Sequence, residues 1–191
     1  MKLKEVRAAS AQQEYGKLPK LKEHIFQDRV CSFFVKKIFS MNIYFGLGSN
    51  LGDRLKNIND AVEKLKTLGR VAAVSRIYET KPWGGVEQPD FLNACVKVER
   101  EKFIAPLEIL RIIKNFEIEL GRVASVRWGA RKIDIDILLI DDMIYKSPEL
   151  NIPHVNLQDR MFVLEPLGEI TPPEWHHPEL NLSIEEMKAV L

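Results

Sequence analysis

Five consecutive residues in the second half of the chain, Ile133-Asp134-Ile135-Asp136-Ile137, alternate between apolar and acidic side chains. This alternation has the two-residue period of a β-strand, in which residues i and i+2 point to the same face. The two carboxylates are therefore predicted to project together, about 6.6 Å apart along the strand, while the isoleucines pack on the opposite side. The fold must supply a sheet with one covered apolar face and one face that accepts charge.

The periodicity of the rest of the chain predicts the order βαββαβ. Strands are predicted at 43–47, 71–78, 91–99 and 133–140, helices at 55–68 and 106–120, and a short further strand at 143–145. Asp53 is the predicted cap of the first helix, and Gly69 its predicted end. This order is typical of an α+β, ferredoxin-like fold, with two helices on one face of an antiparallel sheet and the other face free. In the C-terminal extension, Ser183 to Glu186 has the form of a capping box that starts a terminal helix.

The composition narrows the class of protein. The chain has 191 residues, 46% hydrophobic and 29% charged, with a formal net charge of +1. Such a balance gives no overall field for binding a nucleic-acid backbone, and no apolar run reaches the roughly 18 residues of a membrane span. The two cysteines have no paired spacing, which fits a reducing compartment. We therefore expect a cytoplasmic monomer that binds small molecules, with no nucleic-acid or membrane partner.

The first 40 residues differ in charge from the remainder. They contain nine Lys and Arg against four Asp and Glu, and Met41 directly precedes the first predicted strand. Residues 1–40 are therefore predicted to be an N-terminal appendage, or an artefact of start-codon choice, dispensable for chemistry. Residues 41–191 are predicted to form the functional domain.

The paired aspartates are the first candidate site. Carboxylates within an apolar strand are unfavourable unless they are paired or bind metal, and an all-oxygen site suits Mg²⁺ carrying phosphates. Arg122, Arg127 and Arg131 lie just upstream, and arginine matches phosphate oxygens in a bidentate way. The alternative interpretation is an edge strand with a solvated face. The residues alone predict a Mg²⁺-dependent phosphoryl transferase, with a metal-dependent nucleotidyl- or glycosyltransferase as the rival enzyme.

A second candidate site lies on the third strand, where Phe91 and Asn93 share a face. An aromatic ring beside a primary amide can stack a flat heterocycle and bond to its edge. The alternative is a partly covered sheet face. Stacking aromatics also keep open a non-enzymatic hypothesis, a module for single-stranded RNA, although two aspartates on the same face would repel that backbone.

Several motifs along the chain together form one recognisable pattern. The most specific motif runs from Arg127-Trp128-Gly129 through Lys132 to Leu138. The others, in chain order, are residues 46–53 (GLGSNLGD), 78–80 (YET), 88–94 (QPDFLNA) and 152–154 (IPH), followed by Arg160, Phe162 and 165–167 (EPL). This pattern, over about residues 41–175, resembles the 6-hydroxymethyl-7,8-dihydropterin pyrophosphokinase family of folate biosynthesis. The resemblance implies transfer of pyrophosphate from ATP to the pterin's hydroxymethyl group, releasing AMP.

The resemblance also implies a role for each matching residue. Asp134 and Asp136 are expected to hold two Mg²⁺ ions, and Arg122 and Arg131 to act with them in catalysis. The implied ATP-binding residues are Glu117, Arg122, Arg131, Ile137, His154 and Arg160. The implied pterin-binding residues are Gly48, Thr80, Pro82, Trp83, Phe91, Asn93, Trp128 and Phe162, with Phe91 and Phe162 enclosing the ring and Trp128 on a closing loop.

Overall fold

The computed structural model of the protein describes residues 40–82, 87–123 and 129–191. Within these ranges a principal sheet contains five antiparallel strands, β1 (Met41–Ser49), β2 (Arg70–Val74), β3 (Tyr78–Thr80), β4 (Phe91–Arg100) and β5 (Asp134–Ile140). The strand order is β2-β4-β1-β5, with β3 paired to β4 as well. Two helices, α1 (Arg54–Leu65) and α2 (Pro106–Glu119), complete the predicted βαββαβ order. The expected ferredoxin-like arrangement is confirmed.

The first helix begins where the sequence predicts and ends earlier. Asp53 caps α1 by accepting a hydrogen bond from the Lys56 N–H at 3.0 Å. The helix ends at Leu65, before Gly69, which has a different role. A Cβ atom on Gly69 would lie 2.4 Å from the Glu99 carbonyl oxygen. Glycine is therefore required there because the backbone approaches β4 too closely for any side chain.

The predicted strand 71–78 is interrupted in the structure. The Ser75 N–H donates to the Cys95 carbonyl at 2.9 Å, and the Ser75 hydroxyl accepts from the Cys95 N–H at 2.8 Å. A side-chain oxygen thus takes the place of a backbone carbonyl in the ladder. The strand consequently divides into β2 and β3.

The principal core lies between the sheet and the helices α1 and α2. Ile43, Phe45 and Leu47 of β1 point into it, as their alternation predicts, together with Ile109 and Ile113 of α2. The apolar face of α1 packs less regularly against this core, because Leu55 at its start is half exposed. This face of the sheet therefore holds the apolar side chains and leaves the polar ones for the opposite face.

The expectation that the opposite face is free is wrong. Two C-terminal helices, α3 (Met161–Gly168) and α4 (Ile184–Ala189), cover part of it. Leu164, Leu167 and Met187 form a second core there. The Ser183–Glu186 capping box is confirmed at the start of α4. The uncovered remainder of this face is the floor of a pocket.

A β-bulge in β5 joins the two cores. Tyr44 of β1 pairs with Leu139 and Phe45 pairs with Ile137, so Leu138 is an extra residue in β5. After the bulge the alternation is reversed, and Leu138 and Leu139 both pack in the second core while Ile140 returns to the first. The His154 N–H donates to the Leu138 carbonyl at 2.9 Å and thereby fixes the segment after β5.

Beyond the bulge, the chain forms a small hairpin. The predicted short strand at 143–145 is found as β6 (Tyr145–Lys146), which pairs with β7 (Asn151–Ile152) in a separate two-stranded sheet. No helix in the described ranges is long and apolar enough to cross a lipid bilayer.

Candidate active site

A pocket of about 230 Å³ opens on the polar face of the sheet. Its floor is built from β1, β4 and β5, because alternate residues of these strands point to this side. Ten of the residues expected to bind substrates or metal line it: Gly48, Thr80, Phe91, Asn93, Arg131, Asp134, Asp136, His154, Arg160 and Phe162. Residues separated by more than 100 positions in the sequence thus meet around one cavity.

Asp134 stands at the centre of a network of charged side chains. Its two carboxylate oxygens accept hydrogen bonds from Arg122 Nη1 at 2.6 Å and from Arg131 Nη1 at 2.5 Å. Burial opposes ionisation of this carboxyl, but the two guanidinium groups outweigh it and lower its pKa below the usual range. Asp134 is therefore a carboxylate at neutral pH.

Glu117 holds Arg122 from the opposite side. Its Oε1 lies 2.5 Å from Arg122 Nη1 and accepts a hydrogen bond from the Ile135 N–H at 2.7 Å. The side chain is 2% exposed, and burial raises the pKa of its carboxyl although Lys114, 3.1 Å away, opposes this. Because β5 is an edge strand, Glu117 satisfies a backbone donor that no neighbouring strand can bond.

Asp136 differs from Asp134 in its surroundings. Among the described residues, no cationic side chain makes an ion pair with it within 4 Å. Burial and the negative charge of Asp134 raise the pKa of its carboxyl above the usual range, and His154 only partly offsets this. The Asp136 carboxylate, with that of Asp134 two residues before it in the strand, offers the oxygen donors that a divalent cation prefers. The residues therefore fit the expected Mg²⁺ site.

His154 and Arg160 line another part of the pocket. The Nδ1 atom of His154 accepts a hydrogen bond from the Asn156 N–H at 3.3 Å, so the ring's other nitrogen carries the proton in the neutral form. Burial lowers the pKa of His154, although Asp136 opposes this change. The Arg160 guanidinium lies 5.9 Å from the centre of the Phe162 ring.

The other end of the pocket can bind a flat polar ring. The Asn93 amide donates to the Thr80 hydroxyl at 2.8 Å, which fixes the orientation of both groups beside Phe91. A Cβ on Gly48 would lie 3.4 Å from Asn93 Oδ1 and 4.0 Å from Asp134 Cβ. Gly48 therefore keeps the floor open between the amide and the carboxylates.

Some expected residues lie away from the pocket lining. Arg122 contacts the site through Asp134 and Glu117 does so through Arg122, and neither lines the cavity. Ile137 is 2% exposed and its side chain belongs to the principal core, so only its backbone is available to a nucleotide. Pro82 is outside the lining. Trp83, Arg127 and Trp128 lie outside the described residues.

Two polar residues that the sequence reasoning left without a role contribute to the site. Gln88 lines the pocket, and Asn50, only 2% exposed, bonds to it at 3.0 Å. Both occur in motifs of the family resemblance. A signal was present in the sequence, because an asparagine directly after a buried strand is unfavourable unless its amide is fully bonded.

Comparison with known proteins finds one family model and several relatives that are all described as pyrophosphokinases. A family model described as 7,8-dihydro-6-hydroxymethylpterin-pyrophosphokinase matches residues 44–172. A 2-amino-4-hydroxy-6-hydroxymethyldihydropteridine pyrophosphokinase from Aquifex aeolicus is 41% identical over 146 residues, which cover 76% of this chain and 89% of the relative. A protein of the same name from Porphyromonas gingivalis is 44% identical over 144 residues, covering 72% and 94%.

Longer proteins also match. The folic acid synthesis protein fol1 of Schizosaccharomyces pombe is 39% identical over 145 residues, which are 75% of this chain and 19% of that protein. The crystal structure of Plasmodium falciparum HPPK-DHPS with pteroate superposes with a TM-score of 0.61 at 20% identity, covering 79% of this chain and 42% of that one. At this identity the superposition supports the fold alone.

Proposed function

The chain belongs to the 7,8-dihydro-6-hydroxymethylpterin-pyrophosphokinase family, and we propose how its pocket transfers pyrophosphate from ATP to the pterin. It is a pyrophosphokinase of folate biosynthesis with ATP as co-substrate. The hydroxymethyl oxygen of the pterin bonds to the β-phosphorus of ATP, the bond from that phosphorus to the α,β-bridging oxygen breaks, and AMP leaves. The hydroxyl proton passes to solvent.

One observation carries the assignment of the site. Asp134 and Asp136 share a single pocket with the cationic side chains Arg131 and Arg160 and with the Asn93 amide. A triphosphate needs positive charge and a pterin needs an edge of donors and acceptors. The pocket provides both beside the two carboxylates, as transfer between the two substrates requires.

We propose that Asp134 and Asp136 hold two Mg²⁺ ions. Bound there, the ions would neutralise phosphate oxygens and orient the two substrates. The chain's own cations extend this neutralisation, with Arg131 and Arg160 on the pocket wall and Arg122 behind Asp134. Phosphoryl transfer depends mainly on positioning and electrostatic stabilisation, and these side chains supply both.

At the pterin end, the proposed contacts are stacking and hydrogen bonding. Phe91 and Phe162 enclose the ring, Asn93 and Thr80 bond to its edge, and Gly48 gives it room. Further pterin contacts are proposed on the basis of the family resemblance alone, at Pro82, Trp83 and Trp128. The ATP contacts of Glu117 and Ile137 are proposed on the same basis.

The remaining proposals concern the setting of the enzyme. We propose a cytoplasmic monomer that acts on its two small substrates without a nucleic acid. The paucity of cysteine in the sequence supports a reducing compartment, and the balanced net charge supports small-molecule substrates.

The test is product analysis with matched variants. The full chain, ATP, Mg²⁺ and 6-hydroxymethyl-7,8-dihydropterin are expected to yield AMP and the pterin diphosphate in equal amounts. Asp136→Asn should abolish AMP formation, whereas Asp142→Asn, which changes an exposed acid in the turn after β5, should retain it. Release of inorganic pyrophosphate or ADP would overturn the reaction, and full activity of Asp136→Asn would overturn the metal role.

A further inference from the structure

We propose that Asn50 is a positioning residue that connects the pterin side of the pocket to its arginine side and couples the binding of the two substrates. This inference rests on the proposed function. Asn50 directly follows β1, and its side chain lies between two segments that border the pocket, residues 87–90 and residues 129–132. The first segment leads to Phe91, and the second contains Arg131.

The Asn50 amide makes bonds in both directions. Its Nδ2 group donates to Gln88 Oε1 at 3.0 Å and to the Pro89 carbonyl at 3.1 Å. Its Oδ1 atom accepts from the Arg131 N–H at 2.7 Å, and the Asn50 N–H donates to the Arg131 carbonyl at 3.2 Å. Both backbone groups of Arg131 are therefore held by one residue, which also holds the pterin-side segment.

The hydrogen bonds of the Asn50 side chain are buried, so each of their polar groups requires a partner within the protein. Asn50 is 2% exposed. If a substitution removed one of these hydrogen bonds, water could hardly replace it, and the unbonded buried group would destabilise the protein. Neighbouring polar groups fix its location, since the Ser49 hydroxyl donates to the Lys132 carbonyl at 2.6 Å. The two segments consequently adopt their positions together.

This geometry has a consequence for binding. A pterin contacting Phe91 favours the bonded position of residues 87–90, and a triphosphate contacting Arg131 favours that of residues 129–132. Because Asn50 bonds to both, ordering one segment lowers the entropic penalty of ordering the other. Each substrate should then increase the affinity for the other by the same factor, as linkage demands.

The experiment measures that factor by calorimetry. The probes are 6-hydroxymethylpterin and α,β-methylene-ATP with Mg²⁺, and the factor is the ratio of pterin Kd values without and with the nucleotide. In Asn50→Asp the acceptor for the Arg131 N–H remains, whereas both donors to residues 88 and 89 are lost. We expect the ratio to fall toward 1 by about tenfold, the effect of hydrogen bonds of ordinary strength.

Asn57→Asp is the matched control. Asn57 is 6% exposed, and its Nδ2 group also makes two donor bonds, to the Ser49 hydroxyl at 3.1 Å and to the Leu51 carbonyl at 2.9 Å. Neither bond goes to residues 87–90; the Ser49 hydroxyl bonds onward only to Lys132 of the arginine-side segment, so Asn57 does not connect the two segments. Asn57→Asp should therefore lower the melting temperature as Asn50→Asp does and leave the coupling ratio at the wild-type value.

The possible results separate the two proposals. Wild-type protein that binds neither probe and forms no AMP would overturn the proposed function. An active wild type with an unchanged ratio in Asn50→Asp, or an equal fall in Asn57→Asp, would overturn the role of Asn50. Should Asn50→Asp fail to fold, Gln88→Leu removes one acceptor on the pocket side, and an unchanged ratio in that variant would equally overturn the role.

Discussion

Neutralising the two pocket aspartates one at a time should move the stability of the metal-free protein in opposite directions. Asp134 is bonded to two arginines, so Asp134→Asn leaves Arg122 with Glu117 as its carboxylate partner and removes the one ion pair of Arg131 within the described residues. Asp136 has no such partner among the described residues and faces the like charge of Asp134. Asp136→Asn therefore removes an unfavourable interaction, although it also abolishes activity.

The magnitudes follow from the contacts. Asp134→Asn weakens two charge-assisted hydrogen bonds, each worth about 1.5 to 3 kcal/mol, while the amide oxygen still accepts one of them. A loss of about 2 kcal/mol is expected. At the ~6.6 Å spacing of alternate strand residues, two unit charges repel by about 2.5 kcal/mol at an effective dielectric constant of 20. Because Asp136 is also attracted to the positive charges of Lys114 and Arg160, a net gain of about 1 kcal/mol is expected for Asp136→Asn.

The assay is thermal unfolding in excess EDTA, followed by far-UV circular dichroism. For a domain of this size, 1 kcal/mol shifts the melting temperature by about 2 to 4 °C. Asp134→Asn should therefore melt about 4 to 8 °C below the wild type and Asp136→Asn about 2 to 4 °C above it. Added Mg²⁺ and nucleotide should stabilise only the wild type. Equal destabilisation by both substitutions would refute this account of the site's electrostatics.

Four further predictions concern pH, catalysis, the terminus and packing. Because burial and a neighbouring carboxylate raise the pKa of Asp136, protons should compete with Mg²⁺ at a higher pH than for an ordinary aspartate. The Mg²⁺ affinity measured by calorimetry should fall as the pH falls through that raised pKa. A constant affinity from pH 8 to 5 would contradict this. Arg131→Ala should lower kcat by more than it weakens pterin affinity, which steady-state kinetics will measure; an unchanged kcat would argue against a role in the transition state. A chain that begins at Met41 should retain full AMP-forming activity, and an insoluble or inactive product would show that residues 1–40 are structural. Gly69→Ala should reduce the free energy of unfolding by about 2 kcal/mol in urea titrations, because its methyl group would collide with the Glu99 carbonyl; wild-type stability would contradict this.

The sequence predicted those parts of the fold that depend on local periodicity. The alternation from Ile133 to Ile137 correctly placed three isoleucines in the core and both aspartates on the other face. Asp53 and the Ser183 capping box were recognisable because capping depends on residues only three positions apart. These features need no information about distant parts of the chain.

Features that depend on distant partners were missed. The division between β2 and β3 arises because the Ser75 hydroxyl bonds to Cys95, twenty residues away, and nothing near Ser75 indicates that contact. The covering of the sheet by α3 and α4 was missed for the same reason. A largely apolar segment such as Val163 to Leu167 predicts burial without identifying the surface that it covers.

In the site too, residue types were predictable from the sequence and long-range contacts were not. Individual candidates were recognisable by residue type and by family resemblance, and the structure brings ten of them to one cavity. The position of Asn50 after a buried strand indicated a bonded amide, but its partners Gln88 and Arg131 were not recognisable, since they are 38 and 81 residues away. The core position of Ile137 follows from the alternation itself, which sets it opposite Asp134 and Asp136.

The extra residue at Leu138 allows one strand to perform two tasks in succession. Its first half presents carboxylates to substrates, and its second half anchors the C-terminal helices. If the strand alternated regularly through Leu138, Leu139 would point into the principal core and Ile140 toward the C-terminal helices; the extra residue reverses both positions, and its carbonyl secures His154. Sequence comparisons that treat this strand as uniformly alternating will therefore assign its last two residues to the wrong layers.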